Sequence, residues 1–140
     1  MYEKLSTICK KHDISLLYLF GSQKDSALQI LHGLLVSISD PLTDIDVGVV
    51  FCKPIPTGFD RVKLYGKLYN ELEDVFLPFK LDLVLLEENH SVFQAEALKG
   101  ICAYARDEAE KERYEEEILR RACDFAPYLR MYYNEVLEDY

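Results

Sequence analysis

An apolar run headed by two aspartates one residue apart, Thr43-Asp44-Ile45-Asp46-Val47-Gly48-Val49-Val50-Phe51, restricts the fold of this chain more than any other stretch. Its length and β-branched residues predict a strand over 45–51. Side chains alternate across a strand, so Asp44 and Asp46 share one face while Ile45 and Val47 enter a core on the other. Two carboxylates held that close repel unless something cationic sits between them. Oxygen-only ligands on a rigid strand suit a hard divalent ion such as Mg²⁺, which takes one or two carboxylates and leaves its other positions to water and nucleotide phosphates. The plain alternative for an isolated pair is a solvated strand start, so the company the pair keeps decides between them.

Two further stretches supply that company. Residues 2–11 read as a short helix with Leu5 and Ile8 toward the core, followed by the strand-length run Ser15-Leu16-Leu17-Tyr18-Leu19-Phe20. This strand stops at Gly21-Ser22 and enters a helix from Asp25 to about Leu31, which presents backbone N–H groups and a hydroxyl at a helix N-terminus, a natural cradle for phosphate. Taken alone, Gly-Ser after a strand is a turn and a cap. Downstream, Phe79-Lys80-Leu81-Asp82-Leu83-Val84-Leu85-Leu86 is a strand with one carboxylate among apolar neighbours. Asp82 there needs a partner, or else an edge position facing water.

Between these strands the pattern is helical over Thr57–Phe76, where Val62, Tyr65, Leu68, Tyr69, Leu72, Val75 and Phe76 recur at helical spacing before Pro78 ends the run. Residues 32–42 read as an extra strand or a loop, with Asp40-Pro41 marking a turn. Ser91-Val92-Phe93-Gln94 has capping-box form and opens a short helix that Gly100 closes. Ile101-Cys102-Ala103-Tyr104-Ala105 reads as a final edge strand. From Asp107 to about Tyr133 a second helical pattern carries Ile118, Leu119, Ala122, Phe125, Ala126, Leu129, Tyr132 and Tyr133 in one stripe, with Pro127 kinking or splitting it.

At 140 residues the chain has the length of one domain, spanning 1–140, with its C-terminal helical segment at about 107–138. No run of about 18 apolar residues predicts a membrane span, and Met1-Tyr2-Glu3-Lys4-Leu5 lacks a signal-peptide layout, so a soluble, cytoplasmic protein is expected. The formal charge of −9 argues against general nucleic-acid binding, which needs a basic surface. Cys9, Cys52, Cys102 and Cys123 contain no C-x-x-C pair and are expected to be reduced, buried hydrophobes. His12, His32 and His90 are scattered, which leaves them structural or surface roles.

The order strand, Gly21-Ser22, helix, strand with Asp44-Ile45-Asp46, helix, strand with Asp82 resembles the nucleotidyltransferase superfamily that includes DNA polymerase β. The tail from Glu96 to Glu108, followed by Cys123-Asp124-Phe125-Ala126-Pro127, is similar to the compact minimal nucleotidyltransferases, or MNT proteins. The resemblance covers most of the chain and implies an α+β fold: a small mixed β-sheet flanked by helices with a long C-terminal helical segment. The chain departs from the family pattern in two places. Twenty-one residues separate Ser22 from Asp44, about twice the usual spacing, so something near 32–42 is inserted. Gln23-Lys24 stands where the family commonly carries an arginine, so Lys24 would offer phosphate a point cation instead of a bidentate fork.

The resemblance implies that Asp44, Asp46 and Asp82 hold two Mg²⁺ ions, that Gly21, Ser22 and Lys24 grip the phosphates of ATP, and that Asp82 helps deprotonate the attacking hydroxyl. The reaction class is in-line displacement at the α-phosphorus. The three aspartates are then expected on adjacent strands, facing the Gly21-Ser22 turn. By the same resemblance the acceptor is a tyrosine of a small helical HEPN-type toxin partner, which makes the chain an antitoxin and leaves room for a homo- or hetero-oligomer. Two other readings remain open at this stage: a small-molecule nucleotidyltransferase of the aminoglycoside-adenylylating kind, and a non-catalytic module that neutralises a partner by contact. Tyr128, Tyr132, Tyr133 and Tyr140 add a candidate docking surface or self-modification site, against ordinary helix packing.

Overall fold

The computed structural model describes residues 1–37 and 43–138. The elements follow in the order α1 (Tyr2–Lys11), β1 (Ile14–Phe20), α2 (Lys24–Leu31), β2 (Asp44–Phe51), α3 (Gly58–Phe76), β3 (Lys80–Leu85), α4 (Ser91–Leu98), β4 (Ile101–Ala105) and α5 (Glu108–Glu138), with a single 3₁₀ turn at Leu86–Glu88. The four strands form one mixed sheet in the order β3-β2-β1-β4. β1 runs antiparallel to both β2 and β4, while β2 and β3 are parallel and joined by α3 as a crossover. The fold is α+β with a long C-terminal helix, as the sequence implied.

The sheet's two faces are covered unequally. On one face Leu17, Leu19, Ile45, Val47, Val49, Leu81, Leu83 and Leu85 pack beneath Leu5, Ile8 and Cys9 of α1, Ala27, Ile30 and Leu31 of α2, and Leu68, Leu72, Val75 and Phe76 of α3. Each such fully buried aliphatic contributes about 1.5–3 kcal/mol relative to an exposed one, so this layer carries most of the stability. The other face has a smaller core, Leu16, Tyr18, Val50, Leu86 and Ala97, built where α4 and α5 lie over β1 and β4. Tyr18 is 1% exposed, and its hydroxyl donates to Glu115 Oε1 of α5 at 2.8 Å, which satisfies the polar end of a buried ring. Alternation places Asp44, Asp46 and Gly48 on this second face together with Val50.

Four local expectations need correction. Helix α4 is capped by His90, whose ring Nδ1 accepts from the Val92 amide at 3.1 Å; the capping box fails because Gln94 turns inward, donates to Asn89 O and accepts from Tyr114. Helix α5 is one continuous element with Pro127 inside it, not split there, and it ends at Glu138 as the segment 107–138 implied. Within its expected stripe Ile118 is buried, but Leu119 is 50% and Phe125 40% exposed, the Phe125 ring lying edge-on against His90 of the α4 cap. Of the cysteines, all four are free and Cys9 alone is buried, its thiol pushed up to about 12 by that burial; Cys123 is exposed.

The histidines are structural. His12 Nε2 meets Glu71 Oε2 at 2.7 Å, His32 packs edge-on against Tyr2, and His90 caps α4. The region of 32–42 ends α2 at His32 and continues without regular structure through 37; residues 38–42 lie outside the described residues, so the strand-or-loop alternative is answered only as far as 37. Among the described residues no helix is long and apolar enough to cross a membrane.

Candidate active site

The candidate site forms where β1 ends and β2 and β3 begin. Parallel register sets Asp46 of β2 directly beside Asp82 of β3, and antiparallel register sets Phe20 of β1 on the other side of Asp46. All three side chains project from the less covered face, since Phe20 and Val84 pack with the Leu16–Tyr18 core while Ile45, Val47, Leu81 and Leu83 point the opposite way. Asp44, at the first position of β2 opposite Lys80, is exposed and lies one alternation before Asp46 on the same face. Asp82 thus faces Asp46 from the neighbouring strand, and it is exposed on the edge strand of the sheet, so the pair is brought together while Asp82 also has the edge position facing water.

Electrostatics reflect the crowding. The Asp46 carboxyl stands within hydrogen-bonding reach of the Asp82 carboxyl, and its pKa rises from 3.8 to about 6. Partial burial is the largest cause, followed by the hydrogen bond with Asp82 and by the charges of Asp82 and Asp44. A proton or a cation between Asp46 and Asp82 relieves the repulsion. The donor set is oxygen only, which fits a hard divalent cation and excludes the soft-metal pattern of cysteine and histidine. Among the described residues no three His, Cys, Asp or Glu side chains stand as a ready-made metal cluster, so the carboxylates would have to adjust on binding.

The turn after β1 is built against this pair. Gly21 has φ +75°, a conformation that favours glycine, and a Cβ placed on it would lie 2.1 Å from Asp46 Oδ2. The missing side chain therefore lets the turn sit directly on the carboxylate. Helix α2 starts at Lys24 with Gln23 at its N-cap, and the Gln23 side chain does not bond its first-turn amides. Those amide donors and the positive end of the helix dipole lie next to the turn, the arrangement that receives anionic oxygens. Ser22 is exposed; Lys24 is half-buried and makes no ion pair among the described residues.

Other nearby side chains carried no signal in the sequence. Tyr65 of α3 donates its hydroxyl to Leu83 O at 2.9 Å, closing the outer edge of β3 next to Asp82, and it stacks on Tyr69 with ring centroids 6.2 Å apart. Phe93 of α4 meets Phe20 edge-on, centroids 6.0 Å apart and planes at 90°. Helical spacing marks the two tyrosines only as core-facing, and Phe93 lay inside a stretch read as a cap, so register and packing were needed to place them.

Comparison with known proteins bears on the fold and the family. No curated relative matches the sequence. Among solved structures, a chain of a toxin–antitoxin crystallised with AMP-PNP is 18% identical, with a TM-score of 0.61 over 99% of this chain and 96% of that one. A chain of the toxin–antitoxin MntA-HepT is 17% identical, with a TM-score of 0.56 over 99% of this chain and 94% of that one. These similarities are of fold. Residues 3–109 match the family described as "Polymerase beta, Nucleotidyltransferase", and because that span contains the Gly21 turn and all three aspartates, the chain belongs to the polymerase β nucleotidyltransferase family.

Proposed function

We infer that this nucleotidyltransferase moves AMP from ATP onto a hydroxyl, and that the acceptor is a tyrosine of a HEPN-type toxin for which the chain serves as antitoxin. The observation that carries the reading is the Asp46–Asp82 pair in register beneath the Gly21 turn. Support for the partner comes from fold: the two structures above are toxin–antitoxin complexes, one of them with AMP-PNP.

The chain's own residues divide the work. The Gly21-Ser22 turn and the first amides of α2 take the β- and γ-phosphates, with Lys24 adding a positive charge at that helix start. Asp44, Asp46 and Asp82 would hold divalent cations, for which Mg²⁺ suits the oxygen ligands and two ions suit three carboxylates; such ions would supply charge neutralisation at the reacting phosphate and a lowered pKa for the attacking hydroxyl. The acceptor oxygen bonds to the α-phosphorus as the α–β bridging P–O bond breaks. Its proton leaves toward Asp82, and pyrophosphate departs with the electron pair of the broken bond. Asp46, set between Asp44 and Asp82, would share in holding the cation against which the α-phosphate is aligned.

Labelled ATP and a purified toxin partner test the reading. Asp44→Ala and Asp46→Ala are expected to abolish transfer, with circular dichroism and melting temperature showing a folded protein. Undiminished transfer by either variant sinks the catalytic assignment. Mass spectrometry of the partner locates the AMP adduct: an unmodified partner with a labelled small molecule favours the aminoglycoside-type acceptor instead.

A further inference from the structure

We propose that Phe93, held by Phe20, is the platform on which the base of the bound nucleotide stacks. The proposal rests on the nucleotidyltransferase reading and extends it from the phosphates to the nucleoside.

Phe20 is opposite Asp46 in the β1–β2 ladder, so the two side chains rise from the same face with Cβ atoms roughly 5 Å apart. Phe20 is also the residue immediately before the Gly21 turn. A nucleotide held by that turn, with its α-phosphate at Asp46 and Asp82, has its ribose and base left to lie along the same open face. One ribose separates the α-phosphate from the base; one cross-strand step and one aromatic contact separate Asp46 from Phe93.

Phe93 itself has the form such a platform needs. It is 40% exposed although its helix neighbour one turn on, Ala97, is 1% exposed in the core. Phe20 meets it perpendicularly at 6.0 Å, a contact that occupies at most one face of the Phe93 ring. The α4 helix is fixed from below by the His90 cap and by Gln94, which bonds Asn89 O at 2.8 Å and Tyr114 at 2.5 Å, so the ring is presented by a rigid element. A phenyl stacking face takes any base without choosing strongly among them, because every base has a π-face.

The chain contains no tryptophan, so Phe93→Trp installs a single fluorescent reporter at the platform. Saturable quenching by ATP with Mg²⁺, and none by inorganic tripolyphosphate with Mg²⁺, is expected. Calorimetry of Phe93→Ala is expected to show ATP bound about ten-fold more weakly, with tripolyphosphate affinity and melting temperature unchanged. Equal ATP affinity in wild type and Phe93→Ala overturns the platform while leaving the transferase reading intact, as does a parallel loss for tripolyphosphate, which would mean a distorted phosphate site. Wild-type protein that binds neither ligand overturns both.

Discussion

Gly21 and Asp46 occupy space that one methyl group would fill: a Cβ on Gly21 would stand 2.1 Å from Asp46 Oδ2 and 3.0 Å from its Cγ. The turn that would bind phosphate and the carboxylate that would bind metal are thus built as one unit. Gly21→Ala separates folding from chemistry. The left-handed backbone costs about 1–2 kcal/mol for an alanine, and the clash is with the end of a side chain that can rotate away. Rotation moves the carboxylate out of line, where misplacement by about 1 Å costs on the order of 10²-fold in rate. A melting temperature lowered by several degrees with transfer reduced at least that much is expected from thermal denaturation and a labelled-AMP assay.

Two glycines away from the turn give a contrast of neighbours. A Cβ on Gly48 would meet Leu86 Cδ2 at 2.9 Å, whereas one on Gly100 would meet Leu19 O at 2.1 Å and Phe20 Cα at 3.0 Å. Leu86 is buried but has rotamers to use, so Gly48→Ala costs about 1–3 kcal/mol, the usual range for overpacking. Gly100 faces main chain in the strand that leads to Gly21. Gly100→Ala has to push α4 and β4 off β1, and is expected to destabilise more than Gly48→Ala in urea unfolding.

Gln94 is 5% exposed and joins α4 to α5 through the Tyr114 hydroxyl, while its amide nitrogen donates to Asn89 O. Tyr114→Phe keeps the ring and leaves a buried carbonyl oxygen unpaired, a loss of about 1–3 kcal/mol. Gln94→Leu/Tyr114→Phe removes both ends of the bond and is expected to recover part of that loss. Additive losses in the double-mutant cycle would contradict the bond as drawn.

Much of this arrangement was legible in the chain. Asp44, Asp46 and the burial of Ile45 and Val47 follow from alternation alone, and Asp82 stood out because a carboxylate among leucines needs a reason. The boundaries of α1 and α3 followed from helical spacing and from Pro78. What the chain did not disclose depends on contacts between distant segments. Nothing local says that Asp46 pairs with Asp82 in register, that Gln94 abandons a capping box for Tyr114, or that Phe20 and Phe93 meet over the open face. Of the two readings of Pro127, a kink or a split, the split does not occur: a proline inside a helix costs about 3 kcal/mol, which a helix of 31 residues absorbs.

The raised pKa of Asp46 makes the stability of the protein depend on pH and on cations in a direction opposite to that of most salt-bridged carboxylates. The folded group titrates at about 6 and the unfolded one near 3.8, so the folded state holds the proton more tightly. This contribution is fully present below about pH 4 and is lost as pH rises to about 6; screening at a partly exposed site limits it to about 1 kcal/mol. In EDTA, the melting temperature is therefore expected to be a few degrees higher at pH 4.5 than the other titrating groups would give, and Asp82→Asn should remove much of that dependence by taking away the like charge. The same substitution is expected to raise the melting temperature at pH 7.5 while reducing transfer. Millimolar Mg²⁺ should raise it for wild type at pH 7.5, since an ion that binds only the folded state shifts the equilibrium toward it. An Asp82→Asn protein less stable than wild type in EDTA at pH 7.5 would show that Asp46 and Asp82 do not repel one another, and the case for a cation between them would fall with it.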